Sequence, residues 1–469
     1  MLLRSNISET LLNSGVRLVI CAPNADESYF RQEFDHPLIS LEKMPTIAGS
    51  WENRLSNWRQ YLLMNPALGS TLNYKRESLR RDHPWKHFAI RAANLVLGNI
   101  PVLRKAFMAG EAKLFPAREF DEVLKRHQPD LVVTGTPGFN LNDVHALRSA
   151  QRLGIQTATV MLSWDNLTSK GYMNGVPDHL LVWSSLMADE AVAYHDFPRE
   201  RIHETGAPQF DLYHQAKTSF SQTQWRRDHN IPDDAFLMVY GTINPAICTH
   251  EVEIVRTIIR QMESGRYTKP TYLWIRLHPQ MVKGSTSRPI EPFLALRSES
   301  VHVEIPPVQS ESLNWDLPKS DGEHLLRLLA TANLVVTTSS TLSIDAACVE
   351  TPIANAFFDG SQPVDSTISA GRFQHYTHYA KILKTGGIAI ARTPEEFAAH
   401  VNRYINDPVA DAAGRAAIIQ QQLGCLDGQA GEHTAQKILE LAGGKPGLAE
   451  RSNQAARPES RSNFEPTRL

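Results

Sequence analysis

Along this chain, short apolar runs alternate with stretches in which apolar positions recur at helical spacing, the pattern of strands buried on both faces and joined by crossover helices. It is plainest over 333–360, NLVVTTSSTLSIDAACVETPIANAFFDG. Leu334-Val335-Val336 reads as a strand, Thr337 to Thr341 as a hydroxyl-rich turn, and Leu342 to Val349 as a helix with Asp345 in its first turns. Pro352 stops the helix, and Ile353 to Phe358 is a second strand, which runs parallel to the first because a helix connects them. In such a unit ligands sit beyond the carboxyl ends of the strands, where Ser339, Ser340 and Thr341 face a phosphate. Read alone, such a turn is more often only a helix cap.

The same alternation extends in both directions. A helix over Arg4 to Ser14 precedes a strand over Val16 to Pro23, so either the sheet begins at residue 16 or an earlier strand lies outside this sequence. Strands are predicted at 130–134, 157–162, 180–183 and 202–206, with helices at 120–126, 142–153 and 186–194 between them. A second ladder has strands at 236–240, 271–277 and 301–305 and helices at 251–262 and 323–330, and three helices over 393–405, 409–421 and 429–441 close it. The expected fold is α/β, two doubly wound domains facing across a cleft. Residues 1–212 form the first, 213–234 a linker, 235–442 the second, and 443–469 a disordered tail.

Strand signals lapse between about 51 and 116, where the chain reads as a basic helical insertion. Between Asn73 and Lys105 eight Lys or Arg face only Glu77 and Asp82, with Trp85 and Phe88 among them, which suits a solvated insertion with its own small core, or a surface that meets anionic lipid or an anionic polymer. The whole chain carries a net charge of −2, against a general nucleic-acid binder. Four scattered cysteines, Cys21, Cys248, Cys348 and Cys425, suggest neither a disulfide framework nor a zinc site. With no long apolar run and no apolar leader, the expected location is the cytoplasm, peripheral to the inner face of the membrane at most.

Candidate chemistry gathers where strands end. The loops are Trp164 to Lys170, Gly241-Thr242, Arg276-Leu277-His278-Pro279 and the Ser-Thr turn. Arg276 and His278 alternate with Leu277, so they share one face of their strand end and could hold a diphosphate. Taken together, these motifs resemble the donor domain of GT-B transferases, the CDP-glycerol glycerophosphotransferases of teichoic acid synthesis and the bacterial surface-polysaccharide glycosyltransferases. The Arg-x-His-Pro pattern is met by Arg276, His278 and Pro279, and the Ser-turn pattern by Ser340, Thr341, Asp345 and Pro352. Asp427-Gly428 matches a closing Asp-Gly, and Trp164 and Lys170 match an acceptor-side loop in which Asp165 replaces the family's histidine base. A looser similarity is to UDP-N-acetylglucosamine 2-epimerases.

The resemblance covers about 120–440 and implies transfer of a glycosyl or glycerophosphate group from a nucleotide-activated donor to a polysaccharide or lipid-linked acceptor. A 2-epimerase-like isomerase or a non-catalytic nucleotide-sugar binder are the alternatives. Within that frame Asp165 and His278 are catalytic candidates, Asp165 as the base. Arg276, Ser339, Ser340, Thr341, Asp345, Gly241 and Thr242 take the donor, and Trp164, Asn166, Lys170 and Asp211 serve the acceptor side. No Asp-x-Asp motif obliges a metal, so neither metal nor cofactor is expected.

Overall fold

A computed structural model of the chain describes residues 2–443 except 48, 69, 217–219, 284–287, 314 and 361–363. Twelve strands are present among these: β1 Leu18–Ala22, β2 Ile39–Lys43, β3 Leu131–Thr134, β4 Gln156–Val160, β5 His179–Val182, β6 Ile202–Glu204, β7 Phe236–Gly241, β8 Thr271–Arg276, β9 Val301–Glu304, β10 Leu334–Thr337, β11 Ile353–Ala356 and β12 Ala389–Ala391. All of the ladders among them are parallel.

The second sheet runs β12-β11-β10-β7-β8-β9. Counted from β7, that is the 3-2-1-4-5-6 order of a doubly wound dinucleotide-binding sheet, so the winding reverses between β7 and β10. Every residue of β7 and β10 is buried, as a strand covered by helices on both faces requires. Its crossover helices include Glu251–Glu263, Lys319–Thr331 and Leu342–Cys348.

The first half is less regular than the sequence predicts. β3-β4-β5-β6 form one sheet, while β1 pairs only with β2, whose short Ile-Ser-Leu-Glu-Lys gave no strand signal. Leu18 and Leu131 nevertheless share an apolar cluster, so the two sheets pack without a ladder between them. Between β2 and β3 lie the helices Ser50–Leu62, Ser70–Asp82, Pro84–Leu97 and Pro101–Leu114.

The last helix, Ala430–Leu441, needs a correction to the sequence-based division, which places it in the second unit. It crosses back to pack on the first sheet, where Ala435 and Ile438 join Ile7, Leu11, Ala158, Val160 and Leu181. Apolar side chains on that helix can be buried against either sheet, and local pattern does not choose between them. The expected tail lies outside the described residues from 444 on.

Candidate active site

The winding reversal brings the end of β7 beside the end of β10. Gly241 closes β7, and a Cβ there would run into Leu342 at the start of the helix after β10. The missing side chain therefore leaves room for the tip of Leu342 over this strand end. Thr242 follows, and its Oγ1 accepts a hydrogen bond from the His278 backbone N–H at 2.7 Å, which ties the ends of β7 and β8 together. Beneath this loop Glu251, fully buried, accepts from the Ile243 N–H at 3.1 Å and from the Tyr240 hydroxyl at 3.2 Å. Burial pushes its carboxyl up to about 8.

On the β10 side Ser339, Ser340 and Thr341 are half-buried, and Ser340 Oγ accepts from the Leu342 N–H at 3.2 Å. The Thr338 hydroxyl, at the foot of the same turn, is buried with no hydrogen-bond partner among the described residues. Asp345 accepts from the Tyr213 hydroxyl at 2.7 Å, and burial raises it to about 7. It thus links the turn to the hinge segment and holds a carboxyl close to neutrality.

His278 and Arg276 part company. Burial lowers His278 to about 4, so its ring is neutral. Because Nδ1 accepts from the Gln280 N–H at 3.2 Å, the ring proton is assigned to Nε2, which is a donor suited to an oxygen ligand. Arg276, expected on a phosphate, sits in a cluster of ion pairs. Its guanidinium bonds Glu304 and grips both oxygens of Asp321 at 2.7 Å, all nearly buried. Two carboxylates on one guanidinium make this a nearly buried ion cluster.

The acceptor-side loop follows β4. Trp164 is buried, edge-on to His378 at 4.8 Å between ring centres and also against Tyr379. Asn166 is buried in the short helix Asn166–Ser169, and Lys170 is exposed at its end. Asp165 accepts from Ser163 Oγ at 2.5 Å and Ser169 Oγ at 2.6 Å. Burial would raise its carboxyl, but Lys170, His378 and the two hydroxyls outweigh that and hold it at about 2. So firmly stabilised an anion binds a proton only weakly near neutrality. Asp211 is likewise spent elsewhere: its carboxylate accepts from the Ala430 and Gly431 N–H groups at 3.1 and 2.7 Å, capping the last helix.

His378 is the residue that sequence reasoning missed. It comes from the helix Thr377–Leu383 of the second half, and its Nδ1 lies 3.1 Å from Thr168 Oγ1, 210 residues away in sequence. Only 8% exposed, it is lowered to about 4 by burial and is neutral beside Asp165. Tyr379, next to it, bonds Ser343 and Asn355 at 2.9 Å each, and so joins this corner to the Ser-Thr turn. Lys75 from the helical insertion donates to the Ser169 carbonyl at 2.6 Å and is lowered to about 8 by burial and by Lys170. Lys381 pairs with Glu190 at 2.6 Å. No motif announces these groups, because each is supplied by a different segment.

Beyond the ends of β7, β8 and β10 stand a neutral histidine donor and hydroxyls, and Tyr379 joins their turn to a second neutral histidine beside a fixed carboxylate. Two hollows of about 510 and 410 Å³ open elsewhere, at the amino ends of β4 and β5 and of β8, where this fold does not hold its ligands. No group of ligating side chains suited to a metal occurs among the described residues.

No family model and no curated protein matches the sequence. Among solved structures, a candidate UDP-N-acetylglucosamine 2-epimerase from Listeria monocytogenes is similar at 14% identity and a TM-score of 0.49, over 76% of this chain and 82% of that one. The lipopolysaccharide glycosyltransferase WaaG is similar at 10% identity and a TM-score of 0.46, over 92% and 94%. The wall teichoic acid polymerase TagF is similar at 13% identity and 0.41, over 67% and 72%. These are the classes that the motifs resemble, and likeness this distant says nothing of which residues act. The architecture is α/β in the GT-B manner, with parallel-sheet units opposed so that residues of both meet at His378.

Proposed function

We propose that the chain is a transferase that takes a nucleotide-activated donor at the carboxyl ends of β7 and β10 and passes its glycosyl or glycerophosphate group to a hydroxyl acceptor. The observation that supports this best is the winding reversal between β7 and β10, with Gly241 and the Ser339–Thr341 turn on either side of it. In this reading the Ser-turn hydroxyls and the His278 Nε2–H bind the donor phosphates. Asp345, near neutral, lies deeper in the same turn for a donor hydroxyl.

The proton of the acceptor hydroxyl goes to His378 rather than to Asp165. His378 is neutral; burial and the nearby Lys75, Lys170 and Lys381 keep its proton affinity low while Asp165 raises it, so in this reading it takes the proton only as the acceptor oxygen bonds to the transferred group. Trp164 and Thr168 fix the ring. One further reading, nucleotide binding without turnover, is favoured by Asp165 standing where the resembled family has its base and being held at about 2.

Thermal shifts with a panel of CDP-, UDP- and GDP-activated donors test the first step. At least one donor should raise the melting midpoint, and replacing Ser339 and Ser340 by Ala should weaken it by about ten- to a hundredfold if charge-assisted bonds to phosphate are lost. Indifference to the whole panel removes the donor site. With a donor in hand, His378→Gln should bind it unchanged but turn it over about 10² to 10⁴ times more slowly. A parent that binds and never turns over supports the binder instead.

A further inference from the structure

Three of the helices between β2 and β3, Ser50–Leu62, Pro84–Leu97 and Pro101–Leu114, turn large apolar side chains outward and bury polar ones. On Pro84–Leu97 the most buried residue is Asn94, whose amide donates to the Leu62 and Met64 carbonyls at 3.1 and 2.8 Å, beside the half-buried Ile90 and Leu97. Outward, Trp85, Phe88, Leu95 and Val96 are 85, 67, 63 and 54% exposed. At about 100° per residue these four fall on one face, opposite Asn94. Two other helices repeat it in part: Pro101–Leu114 buries Arg104 on Asp196 and Glu111 on Arg59, alongside Met108, and leaves Val102 72% exposed. Ser50–Leu62 buries Glu52 and Arg59 and turns Trp51 and Trp58 outward.

A helix bordered by water does the reverse, so this surface is shaped for an apolar medium. Its rim tells which one. Lys86 and Arg91 stand on opposite sides of the Trp85–Val96 stripe, with Arg80, Arg81 and Lys105 also exposed and Asp82 the exposed acid among them. Two copies of the chain meeting face to face on this patch would bring like charges together. Anionic headgroups above acyl chains match both the stripe and its rim.

We propose that this face lies in the headgroup region of an anionic lipid bilayer, with Trp85, Phe88 and Leu95 toward the acyl chains and Lys86, Arg91 and Lys105 on the lipid phosphates. The inference stands whether or not the nucleotide reading does.

The test is sedimentation of the full chain with vesicles of phosphatidylcholine alone or mixed with phosphatidylglycerol. At about 0.1 M salt the chain should pellet with the mixed vesicles, and salt of about 1 M should weaken binding as charges are screened. A variant with Trp85, Phe88 and Leu95 each replaced by Ser should stay in the supernatant. Replacing Lys86, Arg91 and Lys105 by Gln should weaken binding roughly a hundredfold, about fivefold for each charge. All six side chains are exposed, so both variants should keep the parent's circular dichroism and melting midpoint. The proposal fails if the parent ignores both vesicle types, binds them equally, or is matched by the serine variant. It also fails if light scattering without vesicles shows a dimer that the serine variant breaks, which would assign the face to a second copy.

Discussion

Two side chains show how far a residue's type can mislead about its work. Arg276 ends a strand beside a predicted phosphate site, yet it holds Glu304 and Asp321. Arg276→Ala should therefore act on stability before it acts on any ligand, costing about 3–5 kcal/mol in urea unfolding because two buried carboxylates lose their cation. An unchanged urea midpoint would refute the structural role. Asp165 makes a pH prediction. Its folded value of about 2 lies below that of an ordinary aspartate, so its stabilisation is present above pH 4 and is lost as pH falls through 2. The size is about 2 kcal/mol, and Asp165→Asn should flatten the acid limb of stability by that amount. If parent and mutant lose stability in parallel between pH 5 and 2, the hydrogen bonds from Ser163 and Ser169 are not holding an anion.

At the scale of elements the question is what fixes the last helix. Its first N–H groups are capped by Asp211 from the end of the first half, and the Thr434 hydroxyl reaches Thr205 at 3.0 Å. Gly206, at φ 83°, passes so close that a Cβ would stand 2.6 Å from that of Ala430. Asp211→Ala should cost about 1–2 kcal/mol, the range for a lost cap. Hydrogen exchange should show the loss at 430–434 first, and a uniform change across the chain would count against a local cap. The strand–turn–helix elements were readable because strand composition, Pro352 and the turn residues act within a few positions of one another. β2 was not, since Ile39–Lys43 becomes a strand only by pairing with β1.

For the whole molecule, the last helix joins what the linker divides. Removing residues from 430 on would uncover Ile7, Leu11, Ala158, Val160 and Leu181 together. The shortened chain should therefore melt in two steps, the first half earlier, where the intact chain melts in one. A single transition at the parent's temperature would show that the helix contributes nothing to the first half. Contacts at other places also bridge the halves: Arg4 and Tyr29 meet Asp316, and Glu27 takes four hydrogen bonds from Ser310, Glu311 and Ser312.

What the sequence determined by itself is what short-range physics can write: buried strands with crossover helices, the glycine and hydroxyl turns at their ends, and a basic helical stretch carrying Trp85 and Phe88. These follow from period, capping and composition. Strand order, by contrast, depends on which strand β10 lies beside, and only tertiary packing sets β7 there. The same holds for chemistry. Asp165 and His378 come together across the halves, Arg276 is neutralised by residues 28 and 45 positions on, and the inward turn of Asn94 and Glu111 is invisible until the helices are packed. A side chain's type is local, but its partners and its solvent are not.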